Sequence, residues 1–184
     1  MSQVSFVFAF LVFCFPRHCA RPHAGAPIRL AGANIYWLGL DENVGGIGYP
    51  TPFRIDDALT TAARVMNASV VRGHTLGVST GNPLSFEPTL DVFNGSALDA
   101  ADYAVAAADA AGLRLIVPLT DNYHYYHGGK HDFTDWLGLP EAAFYTDPAA
   151  LGAFQRYIAA RLSHVNPYTG ASLLGSRCCG RDVM

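Results

Sequence analysis

The sequence predicts an α/β fold built on a parallel sheet with one functional end. Two observations carry this. Apolar segments of strand length alternate with helices of clear apolar periodicity, the order expected of right-handed crossovers between parallel strands. Each segment read as a strand is followed by a long connection, whereas each helix returns to the next strand almost at once. Long connections gathered at one end of a sheet are where such folds place their chemistry.

The elements follow in order. A first strand over 28–37 leads through a loop to a helix over 55–66, and only Asn67 and Ala68 separate that helix from a second strand over 69–74. After another long loop, Ser96 is read as the start of a helix over 98–111, with Asp99 placed as in a capping box. Gly112 alone joins it to a third strand over 113–119, as a helix C-cap should. The third strand, LRLIVPL, is nearly continuous in apolar residues, as a strand buried on both faces requires. A loop over 120–146, rich in His and aromatic residues, then reaches Asp147-Pro148, which caps a last helix, and Asn166-Pro167 ends it. Leu98, Ala101, Val105 and Ala108 share one helical face, as do Leu151, Phe154, Ile158 and Leu162, and both sets are assigned to the core.

Half of the 184 residues are apolar, enough for a sizeable core, and the formal net charge of −3 excludes the basic footprint of a nucleic-acid binder. Residues 4–15 form an apolar run too short for a bilayer span and suited to the core of a signal peptide, although no Lys or Arg precedes it. The expected leader covers 1–20, with the cut between Ala20 and Ala26, so the mature chain is expected to be secreted and free of the membrane. Asn67-Ala68-Ser69 and Asn94-Gly95-Ser96 are sequons, making Asn67 and Asn94 glycosylation candidates on that route. Cys14, Cys19 and the adjacent Cys178 and Cys179 supply neither a disulfide framework nor a CxxC metal spacing.

In β/α barrels the active site is assembled from the loops after the strands, which directs attention to 37–43, 72–75 and 121–136. Arg72 closes an apolar strand, where a cation needs acceptors: either a structural ion pair or an orienting partner for an acidic group. Trp37 ends the first strand and offers a flat face to a sugar ring, or packs at the rim. Asn122, Tyr123, His124 and Trp136 belong to a loop whose rings and hydrogen-bond groups suit a polyhydroxylated ligand. His124, His127 and His131 with Asp121 match no established metal-ligand spacing, so no metal is expected. A Ser/His/Asp triad is not expected. Glycoside hydrolysis needs two carboxyl groups; Glu42, Glu87 and Glu141 all fall outside the strands, leaving Asp41 or Glu42 with Asp121 as the local pair to consider.

Four segments in order carry a resemblance: GANIYWLGL at 32–40, SVVRGHTLG at 69–77, DYAVAAADAAGLRLIVPLTDNYHYYHGGKHDFTDWLG at 102–138 and FYTDPAALGAFQRYIAARLSHVNPYTG at 144–170. Together they resemble glycoside hydrolase family 5, fungal endo-1,4-β-mannanases and cellulase-like relatives in particular. The resemblance implies the first three units of a TIM (β/α)8 barrel over 27–170, followed by a tail over 171–184 without the family pattern. It implies retaining hydrolysis of a β-1,4-linked polysaccharide, mannan or a related β-glucan, with no metal or organic cofactor. Trp37 would line the cleft and Arg72 would support the catalytic carboxylates. Family members commonly read Asn-Asn-Trp where this chain has Asp121-Asn122-Tyr123, and many carry a tryptophan where His74 stands. The family's acid/base and nucleophile glutamates have no counterpart here, so no catalytic residue is assigned and the chain alone is expected to be inactive. The rival expectation is a noncatalytic secreted carbohydrate-binding or degenerate fragment.

Overall fold

The structure, a computed structural model, describes residues 10–13 and 30–173. The rest of the expected leader and the tail from 174 onward lie outside the described residues. A four-stranded sheet organises the chain in the order β1 (Phe10–Phe13), β4 (Arg114–Pro118), β3 (Val70–Arg72) and β2 (Gly32–Asn34). β2, β3 and β4 are parallel, with Asn34 beside Arg72 and Arg72 beside Ile116. Three β/α units are therefore present, as the alternation of segments predicts.

β1 is the departure. It runs antiparallel along the outer edge of β4, with Phe10 opposite Pro118 and Phe13 opposite Leu115. Three units by themselves would leave both edges of the sheet bare, and here the β4 edge is paired. A row of free backbone donors and acceptors is a template for any extended segment within reach, and residues of the apolar N-terminal run take it.

Helix α1 (Pro52–Thr60) starts earlier than the apolar periodicity suggests, because Pro52 sits in its first turn and Thr51 caps it, accepting from Arg54 N at 3.3 Å. It continues as a π-turn over Thr61–Val65, closed by Met66 N donating to Thr61 O. Helix α2 (Gly95–Ala110) is capped by Asn94 rather than Ser96, since Asn94 Oδ1 accepts from Ser96 N at 3.0 Å. The loop over 120–146 is not bare: it holds helix α3 (Lys130–Trp136) and a 3-10 turn over Glu141–Tyr145. Fully buried Phe133 anchors α3, packing edge-on to Trp136, Phe154 and Tyr157. Helix α4 (Pro148–Ser163) starts as expected, with Asp147 accepting from Ala149 N at 2.8 Å.

One core cluster lies between the sheet and helices α1 and α2, built on Leu38, Leu59, Val71, Val105 and Leu115; a second, aromatic one lies between α3 and α4. The assigned face of α2 holds for Ala101, Val105 and Ala108. That of α4 holds for Leu162, with Phe154 and Ile158 packed on the core clusters, while Leu151 is 37% exposed. The buried face is wider than expected and takes in Ala150, Ala153, Tyr157 and Arg161. Polar anchoring explains the extension: the Tyr157 hydroxyl donates to Gly77 O, and the Arg161 guanidinium donates twice to Leu76 O at 3.0 and 2.7 Å. Backbone carbonyls just beyond β3 thus draw this side of α4 inward, and a buried carbonyl left without a donor would cost more than one Leu in water. Among the described residues no helix is long and apolar enough to cross a membrane.

Candidate functional site

At the C-terminal ends of β2, β3 and β4 the chain forms an open cleft of about 550 Å³, within the range of small-ligand sites. Tyr36, Arg72, His74, Thr120, Asp121, Asn122, Tyr123, His124, Tyr125 and His127 line it with Pro118. The strand ends are tied by a relay of side chains across its floor. Arg72 donates to Asn34 Oδ1 at 3.2 Å and to His74 Nδ1 at 2.6 Å, and His74 Nε2 lies 2.8 Å from Asp121 Oδ2. A guanidinium only donates, so His74 Nδ1 accepts and the ring proton sits on Nε2, aimed at the carboxylate. Asp121 Oδ1 also accepts from Tyr123 N at 3.1 Å, which fixes the start of the loop.

Burial pushes the Asp121 carboxyl up, but the hydrogen bonds from His74 and Tyr123 N, with the neighbouring His127 and His74, outweigh it and hold it below the usual range. The pKa of His127 is lowered too, by burial and then by the adjacent His74, against the pull of Asp121. Its Nδ1 lies 3.0 Å from Gly128 O and must donate there, so its lone pair is on Nε2. Glycine is required at the turn that carries it. Gly128 has φ +79°, and a Cβ there would lie 2.2 Å from Thr80 O and 2.3 Å from Asp132 Oδ2.

The strand-1 wall of the cleft rests on Glu42. Its Oε1 accepts from the Tyr36 hydroxyl at 3.1 Å, and the Tyr125 hydroxyl reaches Oε1 at 3.0 and Oε2 at 2.8 Å. Asn43 Nδ2 donates to the Tyr36 hydroxyl at 2.9 Å, and the Tyr126 hydroxyl donates to Leu40 O at 2.9 Å. Asp41, beside Glu42 in sequence, joins this network only through Asn43, whose N and Nδ2 donate to Asp41 Oδ1 at 2.9 and 3.1 Å. It is fully buried and pairs with Arg54 Nε at 2.7 Å.

His74, Asp121 and His127 place one ligand-type atom each within 4.8 Å of one another, the one such group among the described residues. Their hydrogen bonds oppose a cation. A neutral imidazole has a single lone pair, and that of His74 is taken by Arg72, whose own positive charge lies beside the place a metal would occupy. A metal-ligating histidine normally donates its second ring N–H to a carbonyl or carboxylate; here the second nitrogen accepts from a guanidinium instead.

Of the residues singled out from the sequence, Arg72, His74, Asn122, Tyr123 and His124 meet at the cleft. Tyr123 is 75% exposed, and Asn122 Oδ1 accepts from the Tyr145 hydroxyl at 3.0 Å. His124 stacks on His131 with ring centroids 3.8 Å apart. Trp37 and Trp136 do not join them. Trp37 packs against the first core cluster with the Arg54 guanidinium 4.2 Å over its ring, and Trp136 packs on Phe133 in the second. Both Tyr36 and Trp37 lie in the turn after β2, where the core and Arg54 hold Trp37 away from the cleft that Tyr36 lines. Tyr36 is the contributor that the sequence reading passes over; Glu42 enters there only as half of a carboxylate pair, His127 as a metal-ligand candidate and Tyr125 as part of the ring-rich loop. Of the sequons, Asn67 is exposed in a left-handed turn with φ 52°. Asn94 is half-buried as the α2 cap, with Nδ2 donating to the Tyr49 hydroxyl at 3.2 Å.

Comparison with known proteins agrees with this geometry. No protein-family model matches the chain. Mannan endo-1,4-beta-mannosidase 2 of Oryza sativa subsp. japonica is 31% identical over 153 residues, 79% of this chain and 33% of its own length. Mannan endo-1,4-beta-mannosidase 1 of Arabidopsis thaliana is 30% identical over 79% of this chain and 34% of its own. Among solved structures, an endo-1,4-beta-D-mannanase from Thermotoga petrophila superposes with a TM-score of 0.69 at 25% identity, over 81% of this chain and 42% of that one. An endo-1,4-beta-mannanase from Rhizomucor miehei shares the fold with a TM-score of 0.67 at 21% identity, over 82% and 42%. The chain spans about a third of the length of the curated relatives it matches. Sheet, crossovers and cleft thus define the first three units of a (β/α)8 glycosidase barrel. The chain is a partial glycoside hydrolase family 5 chain of the mannanase-like kind.

Proposed function

We propose that this chain contributes the substrate-facing first part of a secreted endo-β-1,4-mannanase barrel, and that it does not turn over mannan by itself. The observation that carries the reading is the cleft at the strand ends, where the exposed rings of Tyr123 and Tyr125 stand beside the convergent polar groups of Arg72, His74 and Asn122. A sugar has apolar ring faces and hydroxylated edges, and a wall of this kind meets both. The names of the relatives supply mannan as the polysaccharide.

Inactivity follows from the carboxylates available. A glycosidase acid must be protonated at working pH, hence have a raised pKa. Asp121 is held below the usual range by its hydrogen bonds, and Glu42 already accepts from two phenols. Neither is poised to give a proton to a leaving oxygen. Arg72, held by Asn34 and His74, remains as an orienting cation for carboxylates supplied from outside these three units.

The test is affinity electrophoresis and reducing-sugar release on galactomannan with the purified chain. Retardation without turnover is the expected result. Turnover that persists through purification and is lost in Asp121→Ala would overturn the inactivity, and absence of retardation would overturn the carbohydrate reading.

A further inference from the structure

The side chain that organises the strand-1 wall is a carboxylate, and both of its oxygens are spoken for. Glu42 takes the hydroxyls of Tyr36 and Tyr125, the two rings that line the cleft on that side, and the bond to Tyr125 joins loops 83 residues apart in sequence. Asn43 buttresses the Tyr36 hydroxyl from behind, and Tyr126 locks the same two loops together through Leu40 O. The rings are thus preorganised by an anion held about one phenol away from the ligand. On the floor a second carboxylate, Asp121, accepts from His74, and the one guanidinium of the cleft lining, Arg72, lies on the other side of that imidazole.

Two carboxylates against one guanidinium leave the cleft with no spare positive charge for an anionic sugar. We infer that Glu42 is a positioning residue that also sets specificity: it fixes Tyr36 and Tyr125 for stacking and makes the cleft select neutral hexose chains over uronate chains of the same linkage. This deepens the carbohydrate reading above and rests on it. The physical basis is discrimination by repulsion, since a sugar carboxylate brought within a few ångströms of a like charge loses affinity that its neutral counterpart keeps. Through a part-exposed site the effect is about fivefold to tenfold and shrinks as salt is added.

β-1,4-Linked mannohexaose and the β-1,4-linked hexamer of mannuronate differ only in the oxidation state of C6, so their affinity ratio isolates the charge. The full chain and its Glu42→Gln and Tyr125→Phe variants would be titrated with both by calorimetry at low and at physiological salt, with phenol ionisation followed by ultraviolet difference spectra. The wild type is expected to prefer mannohexaose by about tenfold. Glu42→Gln should narrow that ratio about fivefold, chiefly at low salt, and bring the Tyr125 phenol down from the raised value its bond to Glu42 gives it. Tyr125→Phe keeps the charge, so it should weaken mannohexaose binding while preserving the exclusion of mannuronate. An unchanged ratio in Glu42→Gln, alongside normal mannohexaose binding, would overturn the inference and leave the carbohydrate reading standing. A wild type that binds neither oligosaccharide would overturn both.

Discussion

His74 and Asp121 come from different β/α units, 47 residues apart, and meet at 2.8 Å with the Arg72 guanidinium on the far side of the imidazole. The three groups share one proton inventory. Arg72 fixes the tautomer, the tautomer fixes the donor, and the donor keeps Asp121 an acceptor. Asp121→Asn would retain an acceptor but lose its charge, at a cost of about 1–2 kcal/mol in urea unfolding near pH 7. The sign with pH follows from the lowered pKa. The contribution of Asp121 is fully present above its unfolded value, near 3.8, and is lost as pH falls through the lower folded value. The wild type should therefore show an acid limb below about pH 4 that is diminished in the variant.

Glu87 behaves in the opposite sense. It is fully buried, with Oε1 accepting from Asp91 N at 2.7 Å and Oε2 without a partner. Burial pushes its carboxyl up to about 7 against the hydrogen bond from Asp91 N and the nearby Arg156, with the charges of Asp91 and Asp132 adding to the rise. A folded pKa above the unfolded one means that stability falls as pH rises from about 4.5 to about 7 and is then level. Glu87→Gln abolishes that slope. Its stability relative to wild type should improve by up to about 3 kcal/mol between pH 4 and pH 8, measured by denaturant titration. A parallel pH profile for the two proteins would refute the assignment.

Two ion pairs of equal length should differ in worth. Arg54–Asp41 and Arg156–Asp91 both close to 2.7 Å, but the Asp41 side chain is fully buried while both partners of the second pair are exposed. Arg54→Ala leaves a buried carboxylate, held by Asn43, without its cation and uncovers Trp37, so a loss of about 3 kcal/mol is expected. Arg156→Ala should cost about 0.5 kcal/mol, and less in salt. Comparable losses from the two variants would mean that Asp41 is solvated after all.

Gly128→Ala places a methyl group against the Thr80 carbonyl and the Asp132 carboxylate at a positive φ. Thermal unfolding should show a loss of more than about 2 kcal/mol. Because Thr80 N also donates to His127 O, the His127 ring signals should broaden with it.

Removing the first twenty residues takes away Phe10–Phe13 and bares the outer edge of β4. The shortened chain is expected to self-associate more than the full one in size-exclusion chromatography, since an open strand edge pairs with whatever is near.

Much of this was legible in the sequence for local reasons. Near-continuous apolar strands, single-residue returns such as Gly112, and the Asp147-Pro148 cap depend on neighbours in the chain, and they announced three β/α units with one loop-bearing end. The ring-rich loop after the third strand was visible by composition, as were Arg72 and His74 by their place at a strand end. What could not be read was which side chains turn inward. Whether Tyr36 or Trp37 faces the cleft depends on the turn after β2, and Arg54 and the core, which hold Trp37, settled it in favour of Tyr36. The burial of Tyr157 and Arg161 on α4 was set by carbonyls of Gly77 and Leu76, some eighty residues away in the chain. The pairing of β1 with β4, the Glu42 clamp and the Asp121–His74–Arg72 relay likewise join groups distant in sequence. Local propensity writes the elements into the chain, but which side chains share a hydrogen bond is fixed only when the packed elements bring their polar groups within 3 Å and leave them no water to choose instead.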